Sequence, residues 1–250
     1  MIRVATLNVW GRQGPWPSRL ALIRRELTDL SPDVIGLQEV WRHEGRCQAE
    51  EIAGDLGYEI AYAPAFTAED GRVQGNAILT RLPIRDQHHV PLPVAGHEPR
   101  ALLYVQAGDL PVYVTHLNWQ PGHSAIRQEQ ARFITAHMTG SPAVLLGDFN
   151  ATPDSPEIQY LSECFTDAWT TTGDGTAGDT FSRTNAFVSQ YDDEPTRRLD
   201  YIFTSAHPIR TWLTFTTPQD NIWPSDHYGL ACDLTLPEPD PLGPQSRLLR

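Results

Sequence analysis

Val144-Leu145-Leu146-Gly147-Asp148-Phe149-Asn150 passes from an uninterrupted apolar run straight into a carboxylate, with an amide two residues further on. A run this short and this apolar reads as a buried strand, expected over 142–147. An acid at the end of such a strand costs little if it faces a wet cleft, and several kcal/mol if it is buried without a partner. The same grammar recurs at Ala5-Thr6-Leu7-Asn8, Ile35-Gly36-Leu37-Gln38-Glu39, Val112-Tyr113-Val114-Thr115-His116, and Ser225-Asp226-His227 ahead of a final strand. In Arg198-Leu199-Asp200-Tyr201-Ile202-Phe203 an acid stands inside an otherwise apolar strand, where it needs a partner. Convergence of these positions on one rim explains them better than several independent burial errors.

Working outward, apolar alternation predicts further strands at 2–9, 33–40, 58–63, 75–81, 84–90, 100–107, 110–117, 198–204, 209–216 and 227–236. Helices are expected at 18–30, 47–56 and 124–138, with a short one beginning at Pro156. The first carries Ser18 as N-cap and Leu20, Ile23, Leu27 and Leu30 as its apolar stripe. So many strands with so few helices predict a four-layered α/β sandwich-type arrangement, two sheets face to face with helices outside. A doubly wound parallel sheet would need a helix between nearly every pair of strands. Residues 170–197 read as one long loop. A single domain is expected over 1–236, followed by a proline-rich tail at 237–250.

The chain of 250 residues has 40% hydrophobic and 20% charged residues, and no apolar run approaches the ~20 residues of a membrane span. The expectation is a cytoplasmic monomer with no membrane insertion. Nineteen basic against 31 acidic residues give a net charge of −12, and every basic residue is arginine. The lysine- and arginine-rich stripe of non-specific polyanion binding is missing, so the surface on average repels nucleic acid and anionic membranes. Cys47, Cys164 and Cys232 are odd in number and far apart, and read as free thiols.

Taken singly, each candidate has an ordinary explanation. Asn8 could end a strand, Glu39 could be a surface acid, His116 a satisfied core histidine, and Asp148 with Asn150 an Asx turn. Together they form a set of hard oxygen donors suited to Mg²⁺ or Mn²⁺ and poorly suited to zinc without cysteine. Magnesium takes only one or two protein carboxylates, which leaves other acids and both histidines for proton transfer and transition-state contacts. Phosphoryl chemistry needs that division of labour.

The series Leu7-Asn8-Val9, Leu37-Gln38-Glu39-Val40, Thr115-His116-Leu117, Gly147-Asp148-Phe149-Asn150, Arg198-Leu199-Asp200-Tyr201 and Ser225-Asp226-His227 resembles the endonuclease/exonuclease/phosphatase superfamily of deoxyribonuclease I-like proteins. The resemblance implies a four-layered α/β sandwich with the site at one end of the two sheets. It implies Glu39 as principal metal ligand with Asn8 and Asp226 completing or supporting the site. It implies Asp148 as the acid that orients or deprotonates water, Asn150 as its neighbouring amide, and Asp200 as the partner of His227. His227 and His116 would contact the phosphate. Trp10 stands where repair endonucleases of this superfamily often carry an aspartate, and His116 where they use a tyrosine; both features disfavour that branch. Arg100 and Asn76 are further candidates for phosphate contact or for shaping the site. The favoured reading is a metal-dependent phosphoesterase acting on a small phosphodiester or phosphomonoester. The alternatives are a nuclease acting on DNA or RNA, and a non-catalytic binding module on the same fold.

Overall fold

Side-chain parity along the first strand already separates the layers. In β1 (Ile2–Asn8) Val4 packs into one apolar cluster while Ala5 and Leu7 pack into another, on the opposite face. Successive residues of a strand point to opposite sides, so a strand apolar on both faces must be covered on both. The computed structural model describes residues 1–94, 98–191 and 194–236. The expected tail at 237–250 lies outside them.

The elements follow in the order β1, α1 (Trp16–Leu30), β2 (Val34–His43), β3 (Arg46–Cys47), α2 (Gln48–Ala53), β4 (Glu59–Thr67), β5 (Val73–Thr80), β6 (Ile84–Pro91), β7 (Ala101–Ala107) and β8 (Leu110–His116). Then come α3 (Ser124–His137), β9 (Val144–Asp148), α4 (Pro156–Cys164), β10 (Thr166–Asp167), α5 (Ala168–Thr172), α6 (Ala186–Ser189), β11 (Asp200–Thr204), β12 (His207–Thr214) and β13 (Gly229–Thr235). One sheet has the order β12-β13-β1-β2-β5-β4, with β3 on the end of β2, and the other β10-β11-β9-β8-β7-β6. Each sheet contains one parallel pair, β1 with β2 and β8 with β9, joined by a helical crossover, α1 or α3. The remaining pairs are antiparallel.

Val4, Val34, Ile78, Val112, Val114, Val144, Leu146 and Ile202 fill the space between the sheets. Ile23, Leu27 and Ile52 of α1 and α2 cover the outer face of the first sheet, packing on Leu7, Ile35 and Leu37. Ala131, Ile134, Ile158 and Leu161 of α3 and α4 cover the second, packing on Leu145, Tyr201 and Phe203. The result is the four-layered sandwich the sequence predicts, each layer burying an apolar face against the next.

The departures are local. Helix α1 starts at Trp16, with Pro17 in its first turn, so Ser18 is inside the helix and does not cap it. Its buried face carries Trp16, Arg19, Leu22, Ile23, Leu27 and Leu30, and Leu20 sits at the edge. The expected loop at 170–197 holds the end of α5 and all of α6, whose starts are capped by Asp167 and Asn185.

Gly147 lets β9 approach β8: a Cβ there would fall 2.2 Å from the carbonyl oxygen of Thr115. Gly147→Ala must therefore push apart the two strands that carry His116 and Asp148, an overpacking cost of about 1–3 kcal/mol. The expected outcome is a lower midpoint in urea unfolding with an unchanged m-value; an unaltered midpoint contradicts this packing.

Candidate active site

Register brings the candidates together. Asn8 is the last residue of β1 and pairs with Gln38, one residue before Glu39. His116 ends β8 opposite Asp148, which ends β9, and Asp148 is in turn opposite Asp200 at the start of β11. Each lies an even number of residues from an inter-sheet core position: Asn8 from Val4, His116 from Val114, Asp148 from Leu146, Asp200 from Ile202. The same alternation that fills the core thus projects these polar groups into its open end.

Glu39 breaks that parity. Between Leu37 and Val40 two residues of β2, Gln38 and Glu39, oppose the single residue Asn76 of β5, and Glu39 has a left-handed backbone with φ +58°. This is a β-bulge, which re-aims a side chain that simple alternation would send elsewhere. Glu39 lies with His116, Asn76 and Arg100 around one small recess, and its Oε1 accepts from Asn8 Nδ2 at 3.3 Å. Trp10 and Asn150, with φ +54° and +49°, are likewise left-handed. Each is tied at that bend: Trp10 N donates to Asn8 Oδ1 and Asn150 N to Asp148 Oδ1, both at 2.9 Å.

Asp148 is 1% exposed and sits at the centre. Asn8 Nδ2 donates to its Oδ2 at 2.9 Å, and the same oxygen lies 3.5 Å from His116 Nε2 and 3.8 Å from His227 Nε2. Burial drives its pKa up to about 7, with His227 and the two hydrogen bonds opposing and Asp200 adding to the rise. Asp226, beside Glu39, is raised to about 6 by burial in the same way.

The two histidines have opposite electrostatics. His227 Nδ1 donates to Asp200 Oδ2 at 2.8 Å. Burial alone would lower its pKa, but the carboxylates of Asp200, Asp148 and Asp226 outweigh burial and hold it well above the usual value. His116 has Arg100 Nη1 at 3.1 Å from Nδ1 and Asn150 Nδ2 at 2.9 Å from Nε2. The Arg100 guanidinium can only donate, so it fixes Nδ1 as the acceptor of a neutral ring. Burial and Arg100 push the His116 pKa well below the usual value and favour the neutral form, whereas the carboxylates favour the cationic form of His227.

All eight principal candidates, Asn8, Glu39, His116, Asp148, Asn150, Asp200, Asp226 and His227, meet in this cluster. Arg100 meets it from behind: it is 9% exposed and braced by Glu98, so it presents to His116 rather than to solvent. Asn76 lines the recess and donates to Ala101 O at 2.9 Å. Several supporting residues were not singled out in the sequence. Glu98 also accepts from Asn118, which is held by Gln130. Thr180 Oγ1 accepts from the backbone of Leu199 and Asp200, and Asn185 donates to the carbonyls of Ser225 and Asp226. Arg19 is fully buried and donates to the carbonyls of Val9, Gly11, Gln13 and Pro224. Its position four residues before Ile23 on the buried stripe was the one available signal, since an arginine there needs partners.

The donor set fits a divalent cation. Asp148 and Asp200 present carboxylate oxygens within 4.8 Å of one another, and Asp200 Oδ1 is buried without a hydrogen-bond partner among the described residues; a protonated His227 offers no lone pair to a metal. Glu39 and Asp226 add hard oxygens, and burial disfavours the charged forms of Asp148 and Asp226, which a bound cation would favour.

Comparison with known proteins agrees with this fold. The uncharacterized protein YbhP of Escherichia coli is 25% identical over 265 aligned positions, covering 94% of this chain and 96% of that protein. Protein angel of Drosophila melanogaster is 28% identical over 167 residues, 58% of this chain but only 47% of its own length. The crystal structure of an endonuclease/exonuclease/phosphatase from Beutenbergia cavernae superposes with a TM-score of 0.73 at 27% identity, covering 94% of this chain and 71% of that one. Residues 5–227 match the Endonuclease/Exonuclease/phosphatase family, and the chain belongs to that family.

Proposed function

We propose that the protein is a divalent-metal-dependent phosphoesterase that hydrolyses a small phosphodiester or phosphomonoester by attack of an activated water. The observation that carries this reading is Asp148: a buried carboxylate with its pKa raised to about 7, fixed by Asn8 and the Asn150 amide beside a cationic histidine. A general base works best with a pKa near the operating pH. Asp148 takes the proton of the attacking water, and Asn150 holds water and phosphate in line. His227, kept protonated by Asp200, donates from Nε2 to the phosphoryl group or the departing oxygen. His116 is a neutral group beside the phosphate, held in place by Arg100. Glu39, with Asn8 and Asp226, would hold Mg²⁺ or Mn²⁺, which supplies charge neutralisation at a non-bridging phosphate oxygen.

Small size of the substrate is supported by the charge of −12 and the lack of lysine. Phe66 lines the recess shared by Glu39 and His116 and is 39% exposed, and Trp119, 59% exposed, follows His116 by three residues. These rings offer apolar surface to the organic part of an ester. The three cysteines are all free, which fits a reducing compartment such as the cytoplasm.

The carboxylates give metal binding a defined pH dependence. Asp148 and Asp226 in the folded protein keep protons that an unfolded chain releases near ~4. Their contribution to metal-free stability is therefore present below that value and falls as pH rises through about 6 and about 7. His227, raised, also loses its contribution with rising pH, while His116, lowered, gains toward ~6.5. A cation replaces the carboxylate protons, so the gain in Tm on adding Mg²⁺ should be larger at pH 8 than at pH 5.5 and should largely vanish in Glu39→Gln. Equal gains in wild type at both pH values, or a wild-type response in Glu39→Gln, contradict the ligand assignment.

Asp200 and His227 should act as one unit in turnover. Asp200→Ala and His227→Ala should each lower kcat on bis-p-nitrophenyl phosphate by about 10²–10⁴-fold, and the double variant by little more. Independent, multiplying losses in that cycle would dissolve the pair.

Small-ester turnover should depend only weakly on NaCl between 50 and about 200 mM, the range over which phosphate-tracking proteins lose roughly 10³–10⁵ in affinity. Rapid cutting of plasmid DNA that collapses over the same range would place the protein with the nucleases instead.

A further inference from the structure

Two residues beyond Glu39 and four beyond Asn8, the chain builds a second cavity of about 460 Å³, a volume within the ~300–1,000 Å³ of small-molecule sites. Trp41 forms one wall, and Arg12, Arg46, Arg72 and His43 surround it, with Glu44 the one acid in the lining. In a chain of net charge −12, a lining of three arginines against one acid is a local concentration of cationic groups. The three arginines come from separate segments: the loop after β1, the β2–β3 hairpin and the approach to β5.

The walls are held from beneath. Gly11 has φ +46°, and a Cβ there would fall 2.2 Å from Trp41 Nε1. Gln48 accepts from Trp41 N at 3.0 Å and donates to Gly11 O at 2.6 Å, and buried Arg19 donates to Gly11 O and Gln13 O. The cations themselves are loosely engaged. Arg72 stacks over Trp41 at 4.4 Å and gives only its Nε to Asp70. Arg12 meets Glu51 through one terminal nitrogen, and such exposed pairs contribute little. The exposed Arg46 guanidinium has no hydrogen-bond partner among the described residues. Planar guanidinium forks with free N–H groups match phosphate oxygens in pairs.

Backbone continuity sets the distance to the reacting centre. Two residues span at most roughly 7 Å and four at most roughly 14 Å, which bounds the distance of Trp41 from Glu39 and of Arg12 from Asn8, the residue whose amide also meets Asp148. We propose that this cavity is a second anion subsite, which takes a further phosphate group of a substrate whose reacting phosphate ester lies at the Asp148–His227 centre. The inference rests on the phosphoesterase reading and narrows it to small molecules bearing at least two phosphates.

The test uses inorganic pyrophosphate as probe, titrated calorimetrically into the wild-type protein in EDTA. One-to-one binding is expected, weakened about tenfold in Arg46→Ala and in Arg72→Ala. No binding at millimolar pyrophosphate, or binding that both substitutions leave within twofold, overturns the subsite. Arg46 is on an exposed hairpin, so its variant keeps the test valid if Arg72→Ala melts early by circular dichroism. Wild-type hydrolysis of bis-p-nitrophenyl phosphate in Mg²⁺ is scored separately. Hydrolysis without arginine-dependent binding rejects the subsite alone. Arginine-dependent binding without hydrolysis upholds an anion site and rejects the phosphoesterase reading on which its role in catalysis rests.

Discussion

A carboxylate buried at the end of a strand has to be compensated, and the compensation of Asp148 organises everything around it. Its two oxygens are met by an amide from β1, a backbone N–H from its own turn and imidazoles from β8 and the loop before β13. Those four sources span both sheets. The polar cluster therefore forms only when the sheets stack, and the apolar packing of Val4, Val34 and Ile78 of one sheet with Val114, Leu146 and Ile202 of the other fixes where it forms. Core and site are two ends of one alternation. Gly147 belongs to the same constraint, since the absence of its side chain sets how closely His116 and Asp148 approach.

Within that cluster the protein separates the protonation states of two histidines that share one carboxylate neighbour. His227 faces Asp200 and is held cationic, whereas His116 faces Arg100 and Asn150 and is held neutral. Both rings are buried, so the difference comes from the charge placed behind each ring. The supports extend outward: Glu98, Asn118 and Gln130 stand behind Arg100, and Thr180 and Asn185 behind Asp200 and the Ser225–Asp226 turn. Backbone strain is also stored in this cluster. Trp10, Glu39 and Asn150 are left-handed at a cost of order 1–3 kcal/mol each, which the hydrogen bonds to Asn8 and Asp148 help to offset.

Charge is distributed unevenly over this acidic chain. Arg12, Arg46 and Arg72 line the cavity beside Trp41, while Arg100, Arg19 and Arg198 make buried contacts. The proposed preference for a compact anion over a long polyanion rests on this distribution. The exposed rings of Phe66 and Trp119 fit the same picture, offering contact to an organic group where few cations are available.

Much of this was legible in the chain itself. Polar residues closing apolar runs located Asn8, His116 and Asp148, because period-two alternation fixes which residues share a face before any partner strand is known; Asp200 stood out as an acid within an apolar strand, and His227 as part of a polar group ahead of the final one. Strand number against helix number was enough for the layered arrangement. Other features depended on neighbours far away in sequence. Parity assigns Glu39 to the wrong face, and only the bulge opposite Asn76 turns it into the recess. Arg100, a candidate for phosphate contact, lines the recess beside Glu39, and its bracing of His116 with Glu98 behind it depends on contacts that no periodicity reveals. The second cavity draws Arg12, Trp41, Arg46 and Arg72 from three separate segments. Alternation and charge are properties of a strand and of a composition, so the sequence alone determines them. A bulge, a buried arginine's partners and the walls of a cavity are set by which segments meet, and the packing of the two sheets decides that.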